Sequence, residues 1–237
     1  MKALPAFVVP LSMVFCAQAL ASYQPPTGSD EPYRKAVATL DALEPRLLAL
    51  MERGLAGTPP QVLEAEATQL RAERDPALRQ LQQAAAQGHA VAQYRLALYY
   101  FAYEPSVDPA TTCKLMTDSL EQGFAPAALR VNTDCIGYVD GPSYLPALQK
   151  ALADFPQFAG YYPQPAVWFE CFKPNGKDNG LQWGDATAYK AELYRLLGYK
   201  SGRRDSPARR EYWQQAVDLN GCPQIARSLS IVQAGEH

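Results

Sequence analysis

The side chains able to do chemistry are few. Only two histidines are present, His89 and His237, which excludes any mechanism needing several imidazoles. No GxSxG, HExxH, GxGxxG or phosphate-cradling glycine loop occurs, so the usual spacings for a serine nucleophile, a zinc protease and a nucleotide site are missing. His89 follows Gly88 at the start of a helical stretch, where an imidazole is expected to cap or pack. The loop from Asn175 to Gly180 holds one acid, Asp178, beside Lys177. Calcium needs several oxygen ligands, so turn chemistry accounts for this loop better. The chain reads as non-enzymatic, with no cofactor and no metal.

Cysteine is the other reactive group. Cys16 lies in an N-terminal segment that reads as an export signal. Lys2 gives the positive start, Ala3 to Cys16 is mostly apolar, and Ala19-Leu20-Ala21 supplies small residues for cleavage before Ser22. Pro5 and Pro10 and the short apolar length argue against a spanning helix, so no stable membrane insertion is expected after cleavage. Met13-Val14-Phe15 lacks the small residue that a lipidation site needs before its cysteine.

Four cysteines then remain: Cys113, Cys135, Cys171 and Cys222. An even count in an exported chain favours disulfides. Of three connectivities, Cys113–Cys135 with Cys171–Cys222 is preferred, because it keeps one bridge inside each half. A metal site is disfavoured by the lack of any CxxC pair or accompanying histidine.

Charge points to a partner other than nucleic acid. The 237 residues carry 22 Lys and Arg against 24 Asp and Glu, a net charge of -2, which leaves no basic footprint. The one concentration runs from Lys200 to Arg210. There Arg203, Arg204 and Arg209 are candidates for gripping an acidic partner surface, and a solvated turn is the plainer alternative. Between Phe155 and Phe172 lies an aromatic run expected to serve mainly as core, with Tyr161-Tyr162, ahead of Pro163, as its exposed, partner-contacting piece.

Helices must position these groups, and no segment reads convincingly as a strand. Val37, Leu40, Leu43, Leu47, Leu48 and Met51 recur at helical steps, with Pro45 expected to kink or break the helix and Gly54 to end it. A Gly-Thr-Pro-Pro turn leads to a second helical stretch marked by Val62, Leu63 and Leu70. Asp75-Pro76, Asp108-Pro109 and Ser206-Pro207 each set a cap oxygen before a proline, which predicts helix starts. Each is followed at about one helix length by a glycine, Gly88, Gly123 or Gly221, that closes a helix. Gly88 and Gly123 stand 35 residues apart, a period of stacked helix hairpins.

Two runs carry a resemblance: Ala84-Ala-Ala-Gln-Gly-His-Ala-Val-Ala-Gln-Tyr-Arg-Leu-Ala-Leu-Tyr-Tyr100, and Leu197-Gly-Tyr-Lys-Ser-Gly202 with Asp205, Trp213, Ala216 and Gly221. They resemble Sel1-like repeats, relatives of tetratricopeptide repeats, over residues 76–135 and 185–233. The first unit departs from the pattern, with Ala97 for the usual glycine and Leu115-Met116 where an aromatic would stand.

The resemblance implies an all-α fold, an α-solenoid of stacked helix hairpins interrupted by an irregular aromatic segment. The expected division is a signal peptide (1–21), a flexible lead-in with capping helices (22–75), helix pairs (76–137), an aromatic and Pro-rich connector (138–184), and a last helix pair (185–237). In the connector, short helices are expected near Tyr144–Ala153 and Ala166–Phe172. Such an array suits gripping another protein. By analogy with exported Sel1-like proteins, the expected function is a periplasmic immunity protein that blocks an envelope-targeted antibacterial effector such as a type VI phospholipase. The alternative is a scaffold or adaptor in envelope or exopolysaccharide assembly.

Overall fold

A computed structural model describes residues 22–171, 181–203 and 206–234. The described chain is mainly α-helical: α1 (Asp30–Leu55), α2 (Pro60–Ala86), α3 (Ala90–Tyr103), α4 (Pro109–Glu121), α5 (Ala127–Asp134), α6 (Ile136–Val139), α7 (Tyr144–Asp154), α8 (Ala186–Lys200), α9 (Pro207–Asn220) and α10 (Pro223–Ala234). A 3-10 turn, Phe155–Tyr161, and a ribbon of β1 (Gln164–Ala166) and β2 (Gln182–Gly184) complete it. The ribbon is antiparallel, with Pro165 opposite Trp183. These strands correct the expectation of no β-structure; of the helix expected over Ala166–Phe172, the described part up to Cys171 is the end of β1 followed by irregular chain, and Phe172 lies outside the described residues. Three residues per strand are too few for an alternating pattern to show in sequence.

Two of the three expected helix starts form as local chemistry dictates. The Asp108 carboxylate accepts from the Ala110 amide at 3.0 Å, and the Ser206 hydroxyl accepts from Arg209 at 3.3 Å, each ahead of a proline at the first helical position. Gly88, Gly123 and Gly221 all take φ between 77° and 96°, the left-handed backbone that terminates a helix.

Asp75-Pro76 behaves differently. Pro76 lies inside α2, and Asp75 is engaged by Arg74 instead of capping. Packing of Leu70, Ala77 and Leu81 keeps the helix continuous through the missing amide. Pro45 likewise lies inside α1, which runs on to Leu55 past Gly54. Ion pairs Arg46–Glu73 and Arg53–Glu66 set α1 and α2 antiparallel, so the two prolines fall at neighbouring levels of the hairpin.

The core centres on α3, where every residue from Ala90 to Tyr99 is buried. Around it pack α1, α2, α4, α8 and the aromatic segment, whose Phe155, Phe158, Tyr161 and Phe169 join one large apolar cluster. The lead-in is not loose: Tyr23 stacks on Phe158 at 4.4 Å, and its hydroxyl accepts from the Ala90 amide at 2.9 Å. A smaller cluster joins α8, α9 and α10 around Trp213, Ala216, Ile225 and Leu229.

The cysteines pair as the within-half connectivity expected. Cys113–Cys135 ties α4 to the end of α5 with Cα atoms 5.5 Å apart, and Cys171–Cys222 ties the connector to the start of α10 at 4.1 Å. Sequence separations of 22 and 51 residues give about 3 and 4 kcal/mol of loop-closure stabilisation on the chain-entropy estimate.

Candidate protein-binding surfaces

The aromatic connector seals the molecule from within. The hydroxyls of Tyr94 on α3 and Tyr189 on α8 both donate to the Pro165 carbonyl, drawing the two helices onto β1. Tyr162 stacks on Phe155 at 5.3 Å and lies 5.7 Å from the Tyr189 ring. Tyr161 is buried, and its hydroxyl donates to Asp30 at 2.7 Å. The expected exposure of Tyr161 and Tyr162 is therefore corrected: both rings fill the space between helix groups, because aromatic area supplies what neighbouring hairpins do not cover.

Asp30 is the hub of a network that resembles acid–base machinery. Its carboxylate also receives Arg34 at 2.7 Å and meets His89 Nε2 at 3.3 Å. His89 is fully buried, and its Nδ1 accepts from the Ala92 amide at the α3 N-terminus. That arrangement fixes the proton on Nε2, facing Asp30, and leaves no approach for a substrate. The network instead ties the lead-in, α1, α3 and the 3-10 turn together.

Burial pushes the His89 imidazole below its ordinary range, with Asp30 pulling the other way. Against the upward push of burial, hydrogen bonds from Arg34, Tyr161 and His89 hold the Asp30 carboxyl low. Both depressed values mean that the unfolded chain binds more protons. The stabilisation is complete above about pH 6.5 and shrinks as pH falls toward the folded value of His89, with a second loss below about pH 3.8 from Asp30. Denaturant midpoints measured from pH 7.5 to 5 are expected to fall for the native chain and to fall less for His89→Asn, which keeps a cap but cannot titrate. Parallel slopes would remove His89 as the cause.

The arginines separate in role. Arg209 donates to the carbonyls of Gly198 at 2.8 Å, Tyr199 at 2.9 Å and Gly202 at 2.5 Å, and lies over Trp213 at 5.3 Å. It closes the C-terminal end of α8, satisfying carbonyls that lack helical partners. Arg203 lies on the exposed α8–α9 turn, and Arg204 lies outside the described residues, as do Asp178, Lys177 and His237.

Open surface is found on the outer side of α3. A groove of about 730 Å³ runs between α2 and α4, floored by Gln93, Leu96 and Tyr100 of α3 and flanked by Ala86 and Leu115. Those three α3 positions recur at helical spacing, so one face of the helix forms the floor. Gln82 donates to the Tyr100 hydroxyl at 3.0 Å, and Gln122 donates to Gln93 at 2.7 Å, fixing polar groups along a mixed trough that Thr111, Lys114 and Asp118 also line.

Tyr100 also borders a second hollow of about 410 Å³ with Phe101, Pro105 and Val107. Phe101 is 47% exposed, and the Arg130 guanidinium sits 3.8 Å from its ring centroid. Arg130 is in turn held by Asp134. An exposed aromatic stiffened by a paired arginine is the kind of group that dominates protein interfaces.

No protein-family model, curated protein or solved structure matches this chain. Function therefore rests on the surfaces themselves. No helix among the described residues is long and apolar enough to cross a membrane, and no group of three or more metal-ligating side chains is gathered among them. Sequence reasoning passed over Phe101 and Arg130. The available signal was periodicity: Tyr99 faces inward, and Phe101, two positions on, must point to the opposite side of α3.

Proposed function

We propose that this chain is a non-enzymatic periplasmic protein-binding module, an α-solenoid of Sel1-like helix pairs. Its most specific role is as an immunity protein that occludes an envelope-targeted antibacterial effector of the phospholipase kind. The observation that carries the reading is the continuous outer surface joined at Tyr100: the α2–α3–α4 groove on one side and the Phe101–Arg130 hollow on the other. It combines a trough of mixed apolar and polar lining, fixed amides and an aromatic–arginine anchor, which together suit a protein partner better than a small substrate. Two disulfides support an oxidising compartment. The binding face proposed is the one formed by α2, α3 and α4.

The test uses the full chain as bait in periplasmic extract of the source cell. The wild type is expected to retain one protein with affinity at least tenfold above that of Phe101→Ala, the scale of a hot-spot truncation. Deleting the gene should poison the cell only while that protein is intact. Equal retention by Phe101→Ala, or substrate turnover by the chain alone, would defeat the proposal. A lost envelope product with no toxicity would favour the scaffold reading instead.

A further inference from the structure

Beyond Glu44, which accepts from the Tyr103 hydroxyl of α3, the α1–α2 hairpin stands clear of the buried core. From Glu44 to Gln69 no residue is buried, whereas Tyr33, Ala36, Leu40 and Leu43 on α1 and Leu70, Ala77 and Leu81 on α2 anchor the near halves. The stretch from Leu43 to Leu55 extends about 18 Å at the helical rise. Pairs Arg46–Glu73 and Arg53–Glu66 brace the two helices against each other, while Arg71–Glu64 runs along α2 itself.

Two apolar rows run along this part of α1. One continues the buried line Leu40 and Leu43 as Leu47 and Leu50. The other, Leu48, Met51 and Leu55, starts one residue step, about 100°, round the helix. That second row is left uncovered toward the tip, where Met51 is 50% exposed, Leu55 88%, and Val62 across the turn 67%. Large aliphatic side chains are thus left exposed on both helices at the end of a braced arm.

We infer that this tip is an insertion element that seats in an apolar-floored, basic-rimmed cleft of a partner protein. The inference rests on the protein-binding function proposed above and adds a second contact to it. Area and charge select the occupant. The three side chains expose on the order of a few hundred Å², well short of the roughly 800 Å² per partner of a standard interface, so two copies meeting tip to tip would be underpowered. A concave cleft covers the arm's flanks as well as its end. Between Glu44 and Gln69 the acids are Glu44, Glu52, Glu64 and Glu66, and the bases are Arg46 and Arg53, a net charge of -2. An acidic arm favours a rim of Lys and Arg and disfavours an anionic lipid surface.

A photo-crosslinking residue placed at position 55 of the full chain, in periplasmic extract, reads the contact directly. The expected crosslink maps to a segment of the retained protein that is apolar and flanked by basic residues. The double variant Met51→Asp/Leu55→Asp should lose retention at least tenfold with an unchanged melting temperature, since neither side chain is buried. Crosslinks to a second copy, flotation with phosphatidylglycerol vesicles, or undiminished retention by the double variant would each overturn the inference. If retention still falls with Phe101→Ala in that case, the binding function survives without the arm. Absence of any retained protein with the wild type removes both.

Discussion

Gly198→Ala is expected to lower stability by about 2–3 kcal/mol, toward the upper end of overpacking costs. A Cβ at position 198 would collide with the Trp213 ring, and that ring has little freedom to retreat. Trp213 is buried, with Tyr199 edge-on at 5.2 Å and Arg209 over its face. Helices α8 and α9 thus approach closely because position 198 has no side chain. For a chain of this size the loss corresponds to roughly 4–12 °C in melting temperature. Gly137→Ala, where an added Cβ meets nothing within 4 Å, is the matched control and should change little. Equal melting of both variants would mean that the α8–α9 seam yields, and the close-approach argument would fail. Trp213→Phe should recover part of the loss in the Gly198→Ala background, a coupling that a double-mutant cycle measures.

Glu192→Ala is expected to cost more, about 3–5 kcal/mol. Glu192 is completely buried on α8, and its carboxylate serves three donors: the Glu170 amide, the Cys171 amide at 2.6 Å, and Arg195 Nε at 2.7 Å. Removing it strands a nearly buried guanidinium and two amides at once, the costly way to break a buried pair. Glu192→Gln preserves shape but loses the charge and turns one acceptor into a donor, so an intermediate loss is expected. Urea unfolding ranks the three chains. Hydrogen exchange should show the Glu170 and Cys171 amides losing protection first. An alanine variant within 1 kcal/mol of the parent would show that water or a shifted Arg195 replaces the carboxylate.

Features decided locally were legible in the sequence. Asp108-Pro109 and Ser206-Pro207 start helices because cap and proline act within one turn, and Gly88, Gly123 and Gly221 end helices through their own backbone freedom. The disulfide pairing was legible because few connectivities compete. What failed depended on distant partners. Tyr161 is buried because its hydroxyl meets Asp30, 131 residues away, and Arg209 is engaged because α8 ends beside it. Asp75-Pro76 carries the same signal as the true starts, yet the packing of Ala77 and Leu81 overrides it. The outer surface escaped notice because Phe101 and Arg130 come from different helices and meet only after folding.

The contact of Pro165 with both Tyr94 and Tyr189 has a bearing on how the molecule fails. Chains made of successive helix pairs ordinarily peel apart from an end, each pair leaning only on its neighbours. Here a strand from the middle of the chain clasps an early helix and a late one, so neither half can loosen without exposing the rings that belong to both. Melting should accordingly be a single cooperative event instead of progressive fraying.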